Sequence, residues 1–160
     1  MMEPKQILAR AEKYAPEITQ FLRDMISIPS ESCQEKGVIE CIKKEMQKVG
    51  FDEIKIDKMG NILGRIGKGK RVIAMDAHID TVGVGDPKAW KIDPFKGKLE
   101  NGIVYGRGAS DQEAGMAAMV YAGKIIKELG INGDFSYWAV GSCMEEDCDG
   151  LPLLHLIEKE

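Results

Sequence analysis

The stretch Arg71-Val72-Ile73-Ala74-Met75-Asp76-Ala77-His78-Ile79-Asp80 decides the fold. Arg71 to Met75 reads as a strand, and just beyond it stand a histidine and an aspartate two residues apart. In a strand, residues i and i+2 face the same side, so His78 and Asp80 project together from its end. A metal-bound imidazole usually gives its second N–H to a carboxylate, and His-x-Asp meets that need. A surface ion pair would use the same two residues.

Two more acidic segments lie downstream at nearly equal intervals. Asp111 closes Gly108-Ala109-Ser110-Asp111, 33 residues after His78, and Glu145-Glu146-Asp147 begins 34 residues later. A carboxylate at Asp111 could bridge two cations with its two oxygens, or could cap the next helix. Glu145 and Glu146 can serve one site only if the chain turns after Cys143, because neighbours in a strand point to opposite faces. Gly141 and the Asp147, Asp149, Gly150 set favour such a turn. Clustered carboxylates repel, and a divalent cation relieves the repulsion; a solvated acidic loop is the competing reading.

Around these segments the hydrophobic period alternates between helix and strand. Ile7, Leu8, Ala11, Ile18, Phe21, Leu22, Met25 and Ile26 have helical spacing from Lys5 to Ile26, and a second helix runs from about Gln34 to Val49 with Gly50 as its stop. Ile54 and Ile56 alternate with polar neighbours. Asn61 to Ile66 and Arg71 to Met75 read as strands joined by a hairpin turn at Gly67-Lys68-Gly69-Lys70. Asn101-Gly102 between Leu99 and Ile103 signals a type I′ hairpin. Met116 to Leu129 is an apolar helix rich in small residues, Asp134 to Val140 an inner strand, and a last helix starts near Asp149-Gly150 with Pro152 just inside. The expected fold is one α/β domain, a mixed β-sheet flanked by helices.

Composition narrows the function. A chain of 160 residues with 44% hydrophobic and 30% charged residues suits a single soluble domain. A net charge of −4 and no basic cluster beyond Lys68-Gly69-Lys70-Arg71 argue against a nucleic-acid partner. No stretch approaches the roughly 18 apolar residues of a membrane span, and the first ten residues carry no signal-peptide pattern, so the cytoplasm is the expected compartment. Cys33, Cys41, Cys143 and Cys148 form no Cys-x-x-Cys pair and read as reduced thiols, although Cys143 and Cys148 flank the glutamate pair as potential soft ligands.

With these segments in order, the chain resembles the N-terminal part of the M20 family of metallopeptidases and amidohydrolases, which includes acetylornithine deacetylase, succinyl-diaminopimelate desuccinylase and carboxypeptidase G2-like enzymes. The resemblance runs through His78-Ile79-Asp80-Thr81-Val82, Trp90-Lys91-Ile92-Asp93-Pro94-Phe95, Tyr105-Gly106-Arg107-Gly108-Ala109-Ser110-Asp111 and Glu145-Glu146, and covers the chain from the first helix onward. Ser110 to Gly115 and Glu145 to Gly150 look most like the selenium-metabolism-linked hydrolases of that family.

The resemblance implies two divalent metal ions, zinc by default with cobalt or manganese fitting the same ligands. His78 and Glu146 would each ligate one ion, and Asp111 would bridge both. Glu145 would be the general base, Asp80 would orient His78, and the Asp111–Gln112 peptide bond would be cis. The implied reaction is hydrolysis of an amide in a small N-acyl amino acid or peptide, with neither nucleic acid nor membrane as partner. The resemblance also admits a homodimer for the full-length form.

Two departures stand out. Glu113 replaces a lysine common two residues after the bridging aspartate. The family's further carboxylate ligand, its distal histidine and the lid or dimerisation domain between them have no counterpart up to Glu160. Residues 1–160 are therefore expected to be the N-terminal portion of an incomplete catalytic domain, leaving a sheet edge uncovered. The hydrolase reading is expected of the complete protein; the 160 residues by themselves are expected to be inactive, the alternative reading being a catalytically silent truncated fragment or metal-binding remnant lacking the distal ligands.

Overall fold

The computed structural model describes residues 3–148 and 150–159. Two amphipathic helices open the chain, α1 (Pro4–Ile26) and α2 (Lys36–Val49), the second stopped by Gly50 in the left-handed conformation at φ 88°. Next come three strands, β1 (Glu53–Ile56), β2 (Ile62–Ile66) and β3 (Arg71–His78). A short hairpin, β4 (Lys98–Glu100) and β5 (Ile103–Tyr105), forms its own two-stranded sheet, with Asn101 and Gly102 both at positive φ as a type I′ turn requires. The chain ends with α3 (Glu113–Glu128), β6 (Phe135–Ser142), the single turn α4 (Glu145–Cys148) and α5 (Leu151–Lys159). The expected start of the last helix is met at Leu151, while Asp149 lies outside the described residues.

The main sheet has the order β1-β2-β6-β3 and is mixed: β2 runs antiparallel to β6, and β3 runs parallel to it. This corrects the hairpin expected at Gly67 to Lys70. The two strands it joins are not neighbours, because β6 inserts between them and takes the hydrogen bonds of both. Gly69 instead donates to the Phe135 carbonyl at 3.1 Å, and a Cβ at Gly69 would lie 1.9 Å from the Phe135 nitrogen. The glycine there serves a close crossing of two chain segments rather than a tight turn.

β3 and β6 position the site because they run parallel in register, pairing His78 with Ser142. Parallel strands end on the same side of a sheet, so the segment leaving His78 and the segment leaving Ser142 must meet. The strand also runs three residues further than the sequence period suggested, to His78 itself.

The core fills the space between the sheet and the three long helices. Met25, Val38, Ile42, Met46, Ile62, Met116, Val120 and Ala139 are fully buried there, and small residues at Gly64 and Gly123 admit the ring of Phe51 between helix and sheet. Among the described residues, α5 lies over the opposite face of the sheet. Between α5 and that face runs an apolar groove of about 350 Å³, walled by Leu63, Val72, Trp138, Val140 and Ile157 among others.

Candidate metal centre

His78 ends β3 with its ring almost wholly buried. Its Nδ1 lies 3.0 Å from the Asp80 main-chain carbonyl and 3.6 Å from the Asp80 carboxylate, and its Nε2 lies 2.8 Å from Oδ1 of Asp111. A carbonyl only accepts, so Nδ1 carries a proton and Nε2 is the nitrogen aimed at the centre. Asp80 and Asp111 together push the imidazole pKa up to about 9 against the opposing effect of burial, with Asp80 the larger cause.

Asp111 arrives from a different route. Its loop leaves the β4–β5 hairpin and ends at the start of α3, with Gly106 and Gly108 letting the main chain pass close to its neighbours. The Asp111–Gln112 peptide bond is cis. Asp111 does not cap α3, whose N-cap is Gln112 with no side-chain bond. Its side chain is 77% exposed, open to solvent on the side away from His78.

Glu145 and Glu146 come from the turn after β6. Met144 takes φ 54°, a conformation that an unbranched side chain tolerates better than a β-branched one, and the chain then enters α4. That reversal brings Glu146 to the same side as His78 and Asp111. Ligand atoms of these three residues lie within 4.8 Å of one another. Glu145 sits beside them, Oε2 3.9 Å from His78 Nε2, and is half exposed.

The turn is held by buried polar groups. Oδ1 of Asp80 accepts the Glu145 N–H at 3.0 Å; Oδ2 accepts the Glu146 N–H at 3.1 Å and the Ser32 hydroxyl at 2.6 Å. Burial opposes ionisation of Asp80, yet His78, Ser32 and the two N–H groups outweigh it and hold the carboxyl down at about 2. Glu35 accepts the Met144 N–H at 2.9 Å, and Asn61 accepts the Cys143 N–H at 3.0 Å while donating to Asp57 and to the Pro152 carbonyl. Sequence reasoning missed Ser32, Glu35 and Asn61. Each is an ordinary polar residue far along the chain from its partner, and only the buried environment singles it out.

Glu113 is likewise buried, its Oε2 without a hydrogen-bond partner and its carboxyl pushed up to about 8 by burial. It packs behind Gly108, where a Cβ would lie 2.9 Å from its carboxyl carbon. Cys143 is buried with its thiol directed at the Met59 carbonyl, and neither it nor Cys148 joins the ligand group. All four cysteines are free.

A cavity of about 170 Å³ opens beside the centre, lined by Asp76, His78, Gln112, Ser142, Glu145 and residues at the start of α5. The donor set fits a hard or borderline divalent cation, which would take the place of the proton on His78 Nε2: one imidazole nitrogen and two carboxylates, from three separate elements, around a single point.

The profile of Peptidase family M20/M25/M40 matches residues 74–159, more than half of the chain and the part that carries His78, Asp80, Asp111, Glu145 and Glu146. The chain belongs to this family. Uncharacterized protein YgeY of Escherichia coli K12 is 56% identical over 155 residues, 97% of this chain and 38% of that protein. Succinyl-diaminopimelate desuccinylase of Cereibacter sphaeroides is 37% identical over 103 residues, 62% of this chain and 27% of that enzyme. The chain thus spans well under half the length of these M20 relatives. Among solved structures, the di-peptidase Dug1p of Saccharomyces cerevisiae shares the fold, with a TM-score of 0.81 at 22% identity over 98% of this chain and 37% of that one. No described helix is long and apolar enough to cross a membrane.

Proposed function

We propose that this chain carries the metal-binding face of a hydrolase that cleaves an amide in a small N-acyl amino acid or peptide. The observation that carries the reading is the meeting of His78, Asp111 and Glu146 around one point, with Glu145 adjacent and accessible. Similarity to a desuccinylase and a di-peptidase supports the substrate class, because both names describe cleavage beside an amino acid.

His78 and Glu146 would each hold one divalent ion, zinc by default with cobalt or manganese fitting the same donors, and Asp111 would bridge the two. Such ions polarise a carbonyl and lower the pKa of water. Asp80 fixes the His78 tautomer through its main-chain carbonyl, and its carboxylate sets the position of the turn that presents Glu145 and Glu146. Glu145 takes a proton from the attacking water as the water oxygen bonds to the carbonyl carbon. It then delivers that proton to the amide nitrogen as the C–N bond breaks, leaving a carboxylic acid and an amine, which end as carboxylate and ammonium once the acid proton passes to the amine.

A second reading is favoured by the ligand count. Three ligand groups among the described residues suffice for one ion, so the chain by itself could bind a single ion and hydrolyse nothing. Residues 1–160 would then be the N-terminal portion of a larger catalytic domain, in line with the 38% coverage of the longer relative. One experiment separates the two readings. Zinc is titrated into the metal-stripped chain while hydrolysis of N-succinyl and N-acetyl amino acids and of dipeptides is tracked by amine release. Two equivalents with turnover support the hydrolase; one equivalent without turnover supports the silent binder.

A further inference from the structure

The cavity beside the centre holds one charged group that the proposed reaction does not use. Asp76 stands two residues before His78 on β3, so both side chains leave the same face of the strand. Its Oδ2 accepts the Ser142 hydroxyl at 3.0 Å, which orients the carboxylate in the cavity wall. No cationic side chain pairs with Asp76 among the described residues, and His78 directs its nitrogens to Asp80, Asp111 and Glu145. Nor does Asp76 belong to the group of ligand atoms gathered within 4.8 Å.

We infer that Asp76 is a specificity-determining residue that receives an ammonium or guanidinium carried by the amine-side residue of the substrate. This inference rests on the amide-hydrolase reading and narrows its substrate class. The cavity wall carries Asp76 and Glu145 and no lysine or arginine, while His78 and any ion it holds lie one strand repeat away, so a cationic tip finds its partner in the Asp76 carboxylate itself rather than in the field of the whole cavity. At about 170 Å³ it is well below the roughly 300 Å³ of pockets that take whole drug-sized ligands, and so suits one side chain. Pro152 and Leu153 supply apolar wall for an aliphatic stem while the charged tip reaches Asp76. Alternate strand residues are separated by about 6.6 Å, comparable to the reach of a lysyl or arginyl side chain. A substrate with its amide at the His78 end can therefore place its cationic tip at Asp76. A cavity that pairs with a charged group discriminates against an analogue lacking that group, because the Asp76 carboxylate then keeps only the Ser142 hydroxyl and loses its ionic partner.

The test compares Nα-acetyl-lysine with Nα-acetyl-norleucine, which keeps the aliphatic stem and lacks the charge. Binding to the zinc-loaded chain is measured by calorimetry in a Glu145→Gln background, so that turnover does not interfere. The expected result is at least tenfold tighter binding of the lysine derivative, a preference abolished by adding Asp76→Asn with zinc content unchanged. Equal affinities, no measurable binding of either compound, a preference that survives Asp76→Asn, or loss of a zinc equivalent in that variant would each overturn the inference. The two readings fail separately. A charge-dependent preference in a full-length protein that cleaves neither compound with Glu145 intact removes the hydrolase and leaves Asp76 as a cation-recognising residue. Cleavage of both with the same kcat/KM removes the role of Asp76 and leaves the hydrolase.

Discussion

Oδ1 of Asp80 accepts the main-chain N–H of Glu145 at 3.0 Å, so a carboxylate just past the end of β3 fixes the first residue of α4. The same carboxylate also takes the Glu146 N–H and the Ser32 hydroxyl, and none of its surface is exposed. Asp80→Ala leaves three partly buried donors without their acceptor, each worth about 1 kcal/mol or more. The expected outcome is a stability loss of about 3 kcal/mol or more in urea denaturation of the metal-free chain. Zinc affinity should fall about 10–100-fold, the usual effect of losing a partner behind a ligand. Asp80→Asn, which keeps one acceptor, should fall between wild type and Asp80→Ala on both scales.

Glu145 and Glu146 are adjacent in sequence yet are assigned different tasks, and two substitutions separate them. In the full-length enzyme, Glu145→Gln should leave zinc stoichiometry unchanged and lower kcat about 100-fold or more, the usual scale of a lost general base. Glu146→Gln should lower zinc affinity itself. Equilibrium dialysis beside a rate assay reads both, and a Glu145→Gln variant cleaving at the wild-type rate would contradict the assignment.

Much of this arrangement was legible in the sequence, for a physical reason. His78, Asp111, Glu145 and Glu146 come after apolar runs or glycine turns whose periods fix strand ends and helix starts, so their types and order could be read directly. The helices were legible because α1 and α2 keep one buried stripe over many turns. The strand order was not. Arg71 to Met75 and Asn61 to Ile66 have the same local pattern whether they pair with each other or with β6, and only the crossing at Gly69 and Phe135 decides it. The supports at Ser32, Glu35 and Asn61 stayed hidden because a hydrogen bond spanning 48 to 109 residues leaves no local trace.

Gly64 in β2 tests the close approach of sheet and helices. A Cβ there would lie 2.6 Å from a ring carbon of Phe51 and 2.7 Å from the Met46 sulfur, both inside the packed layer. Met46 is fully buried, so little space exists for it to move. Gly64→Ala should therefore destabilise the chain by about 1–3 kcal/mol through overpacking. A denaturation midpoint equal to wild type would show that the layer is looser than these distances imply.

Asp52 supplies a pH dependence away from the centre. Its carboxylate accepts from Lys127 at 2.6 Å and from the Gly67 N–H at 2.9 Å, and these bonds, Lys127 first, hold its pKa below the ordinary 3.8. A carboxyl with a lowered folded pKa adds stability that is fully present above its unfolded value and is lost as pH falls through the folded one. Stability of the wild-type chain should thus fall more steeply below pH 4 than that of Asp52→Asn, the two curves running parallel above pH 5. At neutral pH the substitution should cost about 1 kcal/mol, since Lys127 is nearly half exposed and solvent screens the pair.

The outer edge of β3 makes the last prediction. β3 closes one side of the main sheet with eight residues, pairs with β6 alone among the described residues, and exposes 64% of Val72, 45% of Ile73 and 50% of Met75. An unpaired edge of that length with apolar side chains on both faces is a template for another strand, and nothing charged beyond Arg71 and Asp76 interrupts it. The 160-residue chain should therefore self-associate in a concentration-dependent way on size-exclusion chromatography. Replacing Ile73 with lysine should shift it toward monomer by placing a charge mid-edge, without touching the buried layer. If wild type and Ile73→Lys both elute as monomers across the whole concentration range, the edge is protected by its twist or by α5 rather than open to a partner.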